Sequence, residues 1–309
     1  MTIKLGLQIP NFSYGTGVAE LYPTVIAQAQ EADTSGFDSV FVMDHFYQLP
    51  VLGTPDQPML EAYTALGGLA TATEKVQLGT LVTGNTYRNP TLLAKAITTL
   101  DVMSQGRAIL GIGTGWFELE HDQLGYGFGT FTDRFNKLYE ALEIIVPMIK
   151  GERPTFSGKY YRTTEAMANP RFRDYIPLMI GGSGEKKTIP LAARQFDHLN
   201  VIAGFDQLAG KVAVKNRVCE EIGRDPATLE TSMLVTAMVD DNVTPDVVPD
   251  AMKQRMVAGS AESVAEQIKT NVFDAGVDGV IINMPTSVQG YQPGAITALG
   301  KALKSVLEG

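Results

Sequence analysis

The chain has 309 residues, 44% hydrophobic and 19% charged, with a net charge of −9. This acidic balance, with no dense Lys/Arg cluster, argues against nucleic acid as a partner, and no apolar run is long enough to span a membrane. Cys219 is the only cysteine, which excludes an internal disulfide and a cysteine-built metal cluster, and no His/Asp/Glu spacing supplies another metal site.

Taken along the chain, short apolar runs alternate with longer helical patterns. The N-terminal residues enter a strand directly, with neither a basic n-region nor a small-residue cleavage site, so a cytoplasmic protein is expected. Strand candidates are 4–9, 39–43, 76–82, 108–112, 178–180, 198–201, 230–239 and 279–283. Helical patterns occupy the neighbourhoods of 18–35, 60–73, 90–104, 131–150, 185–195, 206–222, 261–275 and 295–307. The fourth is the most regular, with Phe135, Leu138, Leu142, Ile145 and Ile149 at helical spacing. Ser260 stands where a cap for the seventh is expected.

Strand–helix alternation indicates a parallel sheet, and near-continuous apolar strands agree with burial on both faces. A single α/β domain over 1–309, a (β/α)8 TIM barrel, is the leading reading, with a doubly wound open sheet as the second. Two connections are expanded, so insertions are expected after strands four and seven. One is 151–176, with a small hairpin expected in Phe156-Ser-Gly-Lys-Tyr-Tyr161. The other is the acidic, proline-containing stretch 240–258.

In a barrel the chemistry lies just after the strands. The fourth strand runs into Ile109-Leu-Gly-Ile-Gly-Thr-Gly-Trp-Phe-Glu-Leu-Glu-His121. Its alternate glycines are one residue too tight for the dinucleotide fingerprint G-x-G-x-x-G. They serve either a close approach to a flat ligand or relief of crowding inside the barrel. Asp44-His45 ends the second strand, where the histidine is a proton-transfer group or a structural hydrogen-bonding one. Gly181-Gly-Ser-Gly184 precedes a helix, either as a phosphate cradle or as a tight turn. Glu120-His121 reads equally as site residues or as a solvated helix start. Ser183 lacks the nucleophile-elbow context, which makes a hydrolase a weak reading.

Together these segments resemble the luciferase-like flavin and deazaflavin oxidoreductases, most closely the actinobacterial branch that uses coenzyme F420. The resemblance rests on Gly36-Phe-Asp-Ser-Val-Phe-Val-Met-Asp-His45, on Leu78-Gly-Thr-Leu-Val-Thr83 with Arg88-Asn-Pro90, and on the glycine run. It continues through Phe156-Ser-Gly-Lys-Tyr-Tyr161, Ile180-Gly-Gly-Ser-Gly-Glu185 and Asp274-Ala-Gly-Val-Asp-Gly279.

The resemblance implies a barrel with an excursion after strand seven and a strand-three bulge carrying a non-proline cis peptide at Leu81–Val82. It implies His45 as the catalytic group beside the reacting carbon and Asp44 near the polar edge of the ring. Leu81, Val82, Thr83, Thr114 and Trp116 would lie along the ring or the pocket, and Glu120 would hydrogen-bond near the cofactor. Gly181, Gly182 and Ser183 would cradle the cofactor phosphate. Trp116 stands where the family's sugar-phosphate dehydrogenases carry a proton-donating glutamate, so sugar-phosphate oxidation is not expected and the proton donor stays open.

The expected activity is F420-dependent hydride transfer with a small organic substrate, in a homodimer that binds neither nucleic acid nor membrane. The alternatives are an FMN-dependent monooxygenase of the same fold and a non-catalytic cofactor-binding protein.

Overall fold

The computed structural model describes residues 3–285 and 290–308. Eight parallel strand positions close on themselves. They are β1 (Leu5–Ile9), β2 (Ser39–Val42), β3 (Gln77–Thr80) continued by β4 (Thr83–Gly84), β5 (Ala108–Gly113), β8 (Leu178–Gly181), β9 (His198–Val201), β10 (Glu230–Val239) and β12 (Gly279–Asn283). Pairing runs in that order, and β12 returns to β1 to shut the barrel. The open-sheet alternative is thereby excluded.

The helices between them are α1 (Val18–Thr34), α2 (Ala62–Ala72), α3 (Pro90–Met103), α4 (Glu118–Leu124), α5 (Phe131–Ile149), α6 (Thr188–Gln195), α7 (Phe205–Glu221), α8 (Ala261–Ile268) and α9 (Ala295–Glu308). Their starts follow local chemistry. Asn89 caps α3 ahead of Pro90, Thr130 and Asp133 form a reciprocal capping box on α5, and Ser260 caps α8 as the sequence suggests. The seventh expected helix, 261–275, is α-helical only to Ile268, and π-type bonding takes over from Lys269 to Phe273.

The barrel carries two apolar layers. One lies between strands and helices and takes every second strand residue, such as Val40, Val42, Leu110 and Ile112. The other plugs the barrel interior with Ile3, Phe41, Ile109, Met179 and Ile281. Gly111 and Gly113 share the side-chain parity of Ile109 and so face inward. A Cβ on Gly111 would fall 2.1 Å from the Thr80 carbonyl oxygen, so β5 can approach the strand-three bulge only without a side chain there.

The expanded connections fall differently from expectation. The stretch 151–176 follows α5, so it is an αβ connection and not an active-site loop. It holds the expected hairpin, β6 (Phe156–Ser157) with β7 (Arg162–Thr163). Glu140 of α5 ties that hairpin to the outside of the barrel by accepting from the Lys159, Tyr160 and Tyr161 N–H groups. The true insertion after the fourth strand is 114–130, which contains α4. The excursion after the seventh is where the sequence puts it, and it ends in an unforeseen strand, β11 (Met256–Gly259), that extends the pairing of β10. Four residues are too few to show a strand period.

No helix among the described residues is long and apolar enough to cross a membrane. None of them form a His/Cys/Asp/Glu group able to hold a metal.

Candidate active site

A cavity of about 1350 Å³ opens at the C-terminal ends of the strands. Of the residues singled out from the sequence, Asp44, His45, Leu81, Val82, Thr83, Thr114, Trp116, Gly181, Gly182 and Ser183 all line it. Glu120 does not, and this departs from the expected role at the cofactor.

The cavity floor is the interruption between β3 and β4, where the Leu81–Val82 peptide is cis. Gln8 donates to the Leu81 carbonyl at 3.1 Å, and the Leu81 N–H donates to Val42 at 3.0 Å. The Val82 side chain lies against two glycines. A Cβ would stand 3.0 Å from it at Gly113 and 3.2 Å from it at Gly181. Both strands therefore present bare backbone beside the bulge, which makes a smooth apolar platform. The Thr83 hydroxyl is engaged by the hydroxyls of Thr80 and Tyr63, each at 2.7 Å.

Asp44 is buried and forms a two-pronged pair with Arg88, with N–O distances of 2.7 and 2.9 Å, and also accepts from the Gly84 N–H. Burial pushes the Asp44 carboxyl up from its ordinary value, with Arg88 pulling against it. Arg88 itself is held above its ordinary range because Asp44 outweighs its desolvation. Arg88 escaped the list of sequence-derived site residues, although a signal was present. It directly precedes Asn89, the cap of α3, and a cation at the positive end of a helix needs an anion to hold it.

His45 donates through Nδ1 to Glu120 Oε2 at 2.8 Å. Glu120 is fully buried, and its carboxylate gathers further donors. Oε1 accepts from the Phe46 and Tyr47 N–H groups at 2.5 and 2.8 Å, and Oε2 accepts from the Tyr87 hydroxyl. Burial opposes the charge, but His45, Tyr87 and Tyr47 outweigh it and hold this carboxyl below the usual range. The second ring nitrogen, Nε2, is left for the cavity that His45 lines. Trp116 and Phe117 meet the imidazole edge-on, each with ring centres 5.8 Å away.

The short helix α4 makes this possible by packing inward. His121 is fully buried, donates through Nδ1 to the Phe117 carbonyl at 2.7 Å and meets Thr86 at 2.7 Å through Nε2. The solvated-helix-start reading of Glu120-His121 is therefore wrong for both residues. Only the tertiary contact of α4 with Phe46 and Tyr87 reveals this.

The turn after β8 presents Gly181, Gly182, Ser183 and Gly184 ahead of α6. Gly182 has φ of +140°, and a Cβ there would meet the Thr188 methyl at 3.1 Å. Gly184 would likewise meet the Thr188 hydroxyl at 3.1 Å. Ser183 donates to the Ile202 carbonyl at 2.5 Å, so its hydroxyl braces the turn. Lys187 lays its ammonium over the Phe131 and Phe135 rings, at 5.3 and 5.2 Å. Asn283, at the end of β12, also lines the cavity. Its amide nitrogen donates to Gln8 at 3.3 Å while its Oδ1 has no partner among the described residues.

A closed parallel barrel with a bulged third strand and a cavity at the C-terminal ends of its strands places the chain among the (β/α)8 barrels. The luciferase-like monooxygenase family matches residues 3–244, and the chain belongs to that family. It is 37% identical over 202 residues to an F420-dependent glucose-6-phosphate dehydrogenase of Nakamurella multipartita, a match covering 65% of this chain and 56% of that protein. It is 31% identical to an F420-dependent hydroxymycolic acid dehydrogenase of Mycobacterium tuberculosis, over 71% of this chain and 59% of the relative. The matched stretches thus span little more than half the length of these curated relatives. Among solved structures, an F420-dependent secondary alcohol dehydrogenase bound to an F420–acetone adduct superposes with a TM-score of 0.83 at 22% identity, covering 99% of each chain.

Proposed function

We propose that this protein is a coenzyme F420-dependent oxidoreductase that moves a hydride between the deazaflavin and a small organic substrate. The observation that carries the proposal is the likeness to curated relatives named for F420-dependent dehydrogenation.

The residues present fit such a cofactor. The Val82 platform between Gly113 and Gly181 suits a flat ring system. The turn from Gly182 to Gly184, which a Cβ would crowd, brings bare backbone and the start of α6 to the cavity for a phosphate, while the Gly182 N–H itself donates to the Asn200 carbonyl at 3.0 Å. When bound, the reduced deazaflavin supplies a hydride from carbon 5.

The protein's own part is position and a proton. Glu120 holds Nδ1–H of His45, so Nε2 is the atom that exchanges a proton with the substrate. His45 thereby acts as acid when a substrate is reduced and as base when one is oxidised. Glu120 is a positioning residue here, not a cofactor ligand. The Asp44–Arg88 pair stiffens the bulge through the Gly84 N–H. Leu81, Val82 and Trp116 cover the reacting region with apolar surface, which limits water around it.

Titrating the purified protein with F420 and FMN tests the reading. Tight F420 binding with hydride transfer is expected. Preferential FMN binding with oxygen consumption would replace the proposal by a flavin monooxygenase.

A further inference from the structure

We infer that Arg134 is a clasp that closes the 114–130 insertion and thereby positions Glu120 against His45 and Trp116 at the cavity. Its consequence for turnover rests on the hydride-transfer reading above; the closure itself does not.

Arg134 stands in the first turn of α5 and is buried. Both features are unfavourable for a cation, which loses water there and faces the positive end of a helix. Its contacts offset that cost. Nε donates to the Gly115 carbonyl at 3.1 Å, and Nη1 donates to the Gly129 carbonyl at 2.9 Å. Gly115 is the second residue of the insertion and Gly129 the last but one. One guanidinium thus ties the two ends of the segment to each other and to the helix that follows. Its face lies over the Phe128 ring, 3.9 Å from the ring centre. Phe128 in turn meets the buried His121 ring, with centres 4.7 Å apart.

The two carbonyls are held for this contact. Gly115 and Gly129 both adopt left-handed backbone, with φ of +78° and +69°. A Cβ on Gly115 would fall 2.5 Å from the Thr86 hydroxyl, which is fixed by its 2.7 Å bond to His121 Nε2. Gly129 leads directly into the Thr130–Asp133 capping box. Between the clasped ends lie Trp116, Phe117, Glu120 and His121. The stack of Arg134, Phe128 and His121 therefore runs to the neighbour of Glu120, whose carboxylate holds His45 Nδ1 at 2.8 Å. A lysine at 134 would keep the charge but lack the planar fork that reaches two carbonyls while stacking on a ring.

The chain has three histidines, so isotope-labelled imidazoles give an assignable nitrogen NMR spectrum of the cofactor-free, full-length protein. The pH is set well above the ordinary imidazole range. Wild-type His45 and His121 are expected as Nδ1–H tautomers, because Glu120 and the Phe117 carbonyl accept from that nitrogen. In Arg134→Lys and Arg134→Ala both rings are expected to average between tautomers. Buried His198, bonded to Ser232, should keep its wild-type signals. Hydrogen exchange of the α4 amides should accelerate roughly tenfold or more, the lower bound for one lost charge-assisted bond, with β1 and α8 within about twofold of wild type. Free guanidinium below its denaturing range should return both readouts toward wild type in the alanine variant. With F420 bound, kcat should fall about tenfold or more while F420 affinity stays within about threefold.

Wild-type tautomers with wild-type α4 exchange in both variants overturn the inference. Protection lost evenly across the barrel also overturns it, since Arg134 would then be a general stability residue. If only the alanine variant unfolds, the lysine variant decides. An opened insertion with unchanged kcat removes the positioning role. Absence of hydride transfer by the wild type would instead refute the activity proposed above and leave the clasp to its NMR and exchange results.

Discussion

Replacing Glu120 by glutamine changes one atom of a fully buried group, and the consequences follow from the four donors it faces. Glutamine's oxygen can keep the Phe46 and Tyr47 N–H groups. Its amide nitrogen then meets His45 Nδ1 and the Tyr87 hydroxyl, both of which donate to the native carboxylate. Two charge-assisted bonds worth roughly 1.5–3 kcal/mol each are lost. Tyr87 rotates its hydroxyl and the imidazole shifts its proton to Nε2, which recovers part of that loss. A net destabilisation of about 2–4 kcal/mol is expected, or ~3–6 °C in melting temperature for a chain of this length.

The tautomer matters more than the stability. With Nε2 already protonated in the neutral ring, His45 cannot accept a proton from the substrate. Oxidation is expected to fall on the order of 10³-fold or more, by the logic of an imidazole held in the wrong tautomer. Reduction should fall less. Stopped-flow absorbance of the deazaflavin measures both directions, and calorimetry measures stability. F420 affinity should stay within about threefold, because Glu120 lies outside the cavity lining. Oxidation within tenfold of wild type, in a variant showing the expected loss of stability, would refute the positioning role.

Further outcomes follow from the same geometry. Glu120 has a folded pKa below its ordinary value of 4.5, so its stabilisation is present above that pH and is lost as pH falls through the lower folded value. The wild-type advantage in melting temperature over Glu120→Gln should therefore shrink below pH 4.5. Taking that difference also separates Glu120 from Asp44, whose raised pKa acts in the opposite sense. Arg88→Ala strands the buried Asp44 carboxylate and should cost about 3–5 kcal/mol by urea denaturation, whereas a loss below ~1 kcal/mol would show that Asp44 is neutral. Gly182→Ala combines a φ of +140° with a 3.1 Å approach to Thr188, and should weaken F420 at least tenfold in a fluorescence titration. His45→Ala should abolish most turnover and leave cofactor binding intact; unchanged turnover across pH would remove His45 from the mechanism.

Strand and helix order and the excursion after the seventh strand were legible because they depend on local periodicity and capping. The positions of Asp44, His45, Gly181 and Gly182 at the cavity were legible for the same reason. Strand ends in a barrel converge, so a residue's place just after a strand predicts its place in space. Arg88 was legible in principle, as a cation set against a helix N-terminus.

Other features had no one-dimensional signal. The direction in which Glu120 points depends on how a seven-residue helix packs against Phe46 and Tyr87, which lie in two other connections. The hydroxyls of Thr83 and Ser183 look free in sequence, but partners distant along the chain, Tyr63 and Ile202, engage them. The stretch 151–176 reads like an active-site loop because its length is visible and its attachment is not. Periodicity and capping were enough to read the order of strands and helices, and strand polarity put Asp44, His45, Gly181 and Gly182 at one end, whereas closure against an open sheet needed the pairing of the last strand with the first. Which polar groups face the cavity and which face one another depends on packing, because hydrogen-bond partners in a closed barrel come from segments tens of residues apart.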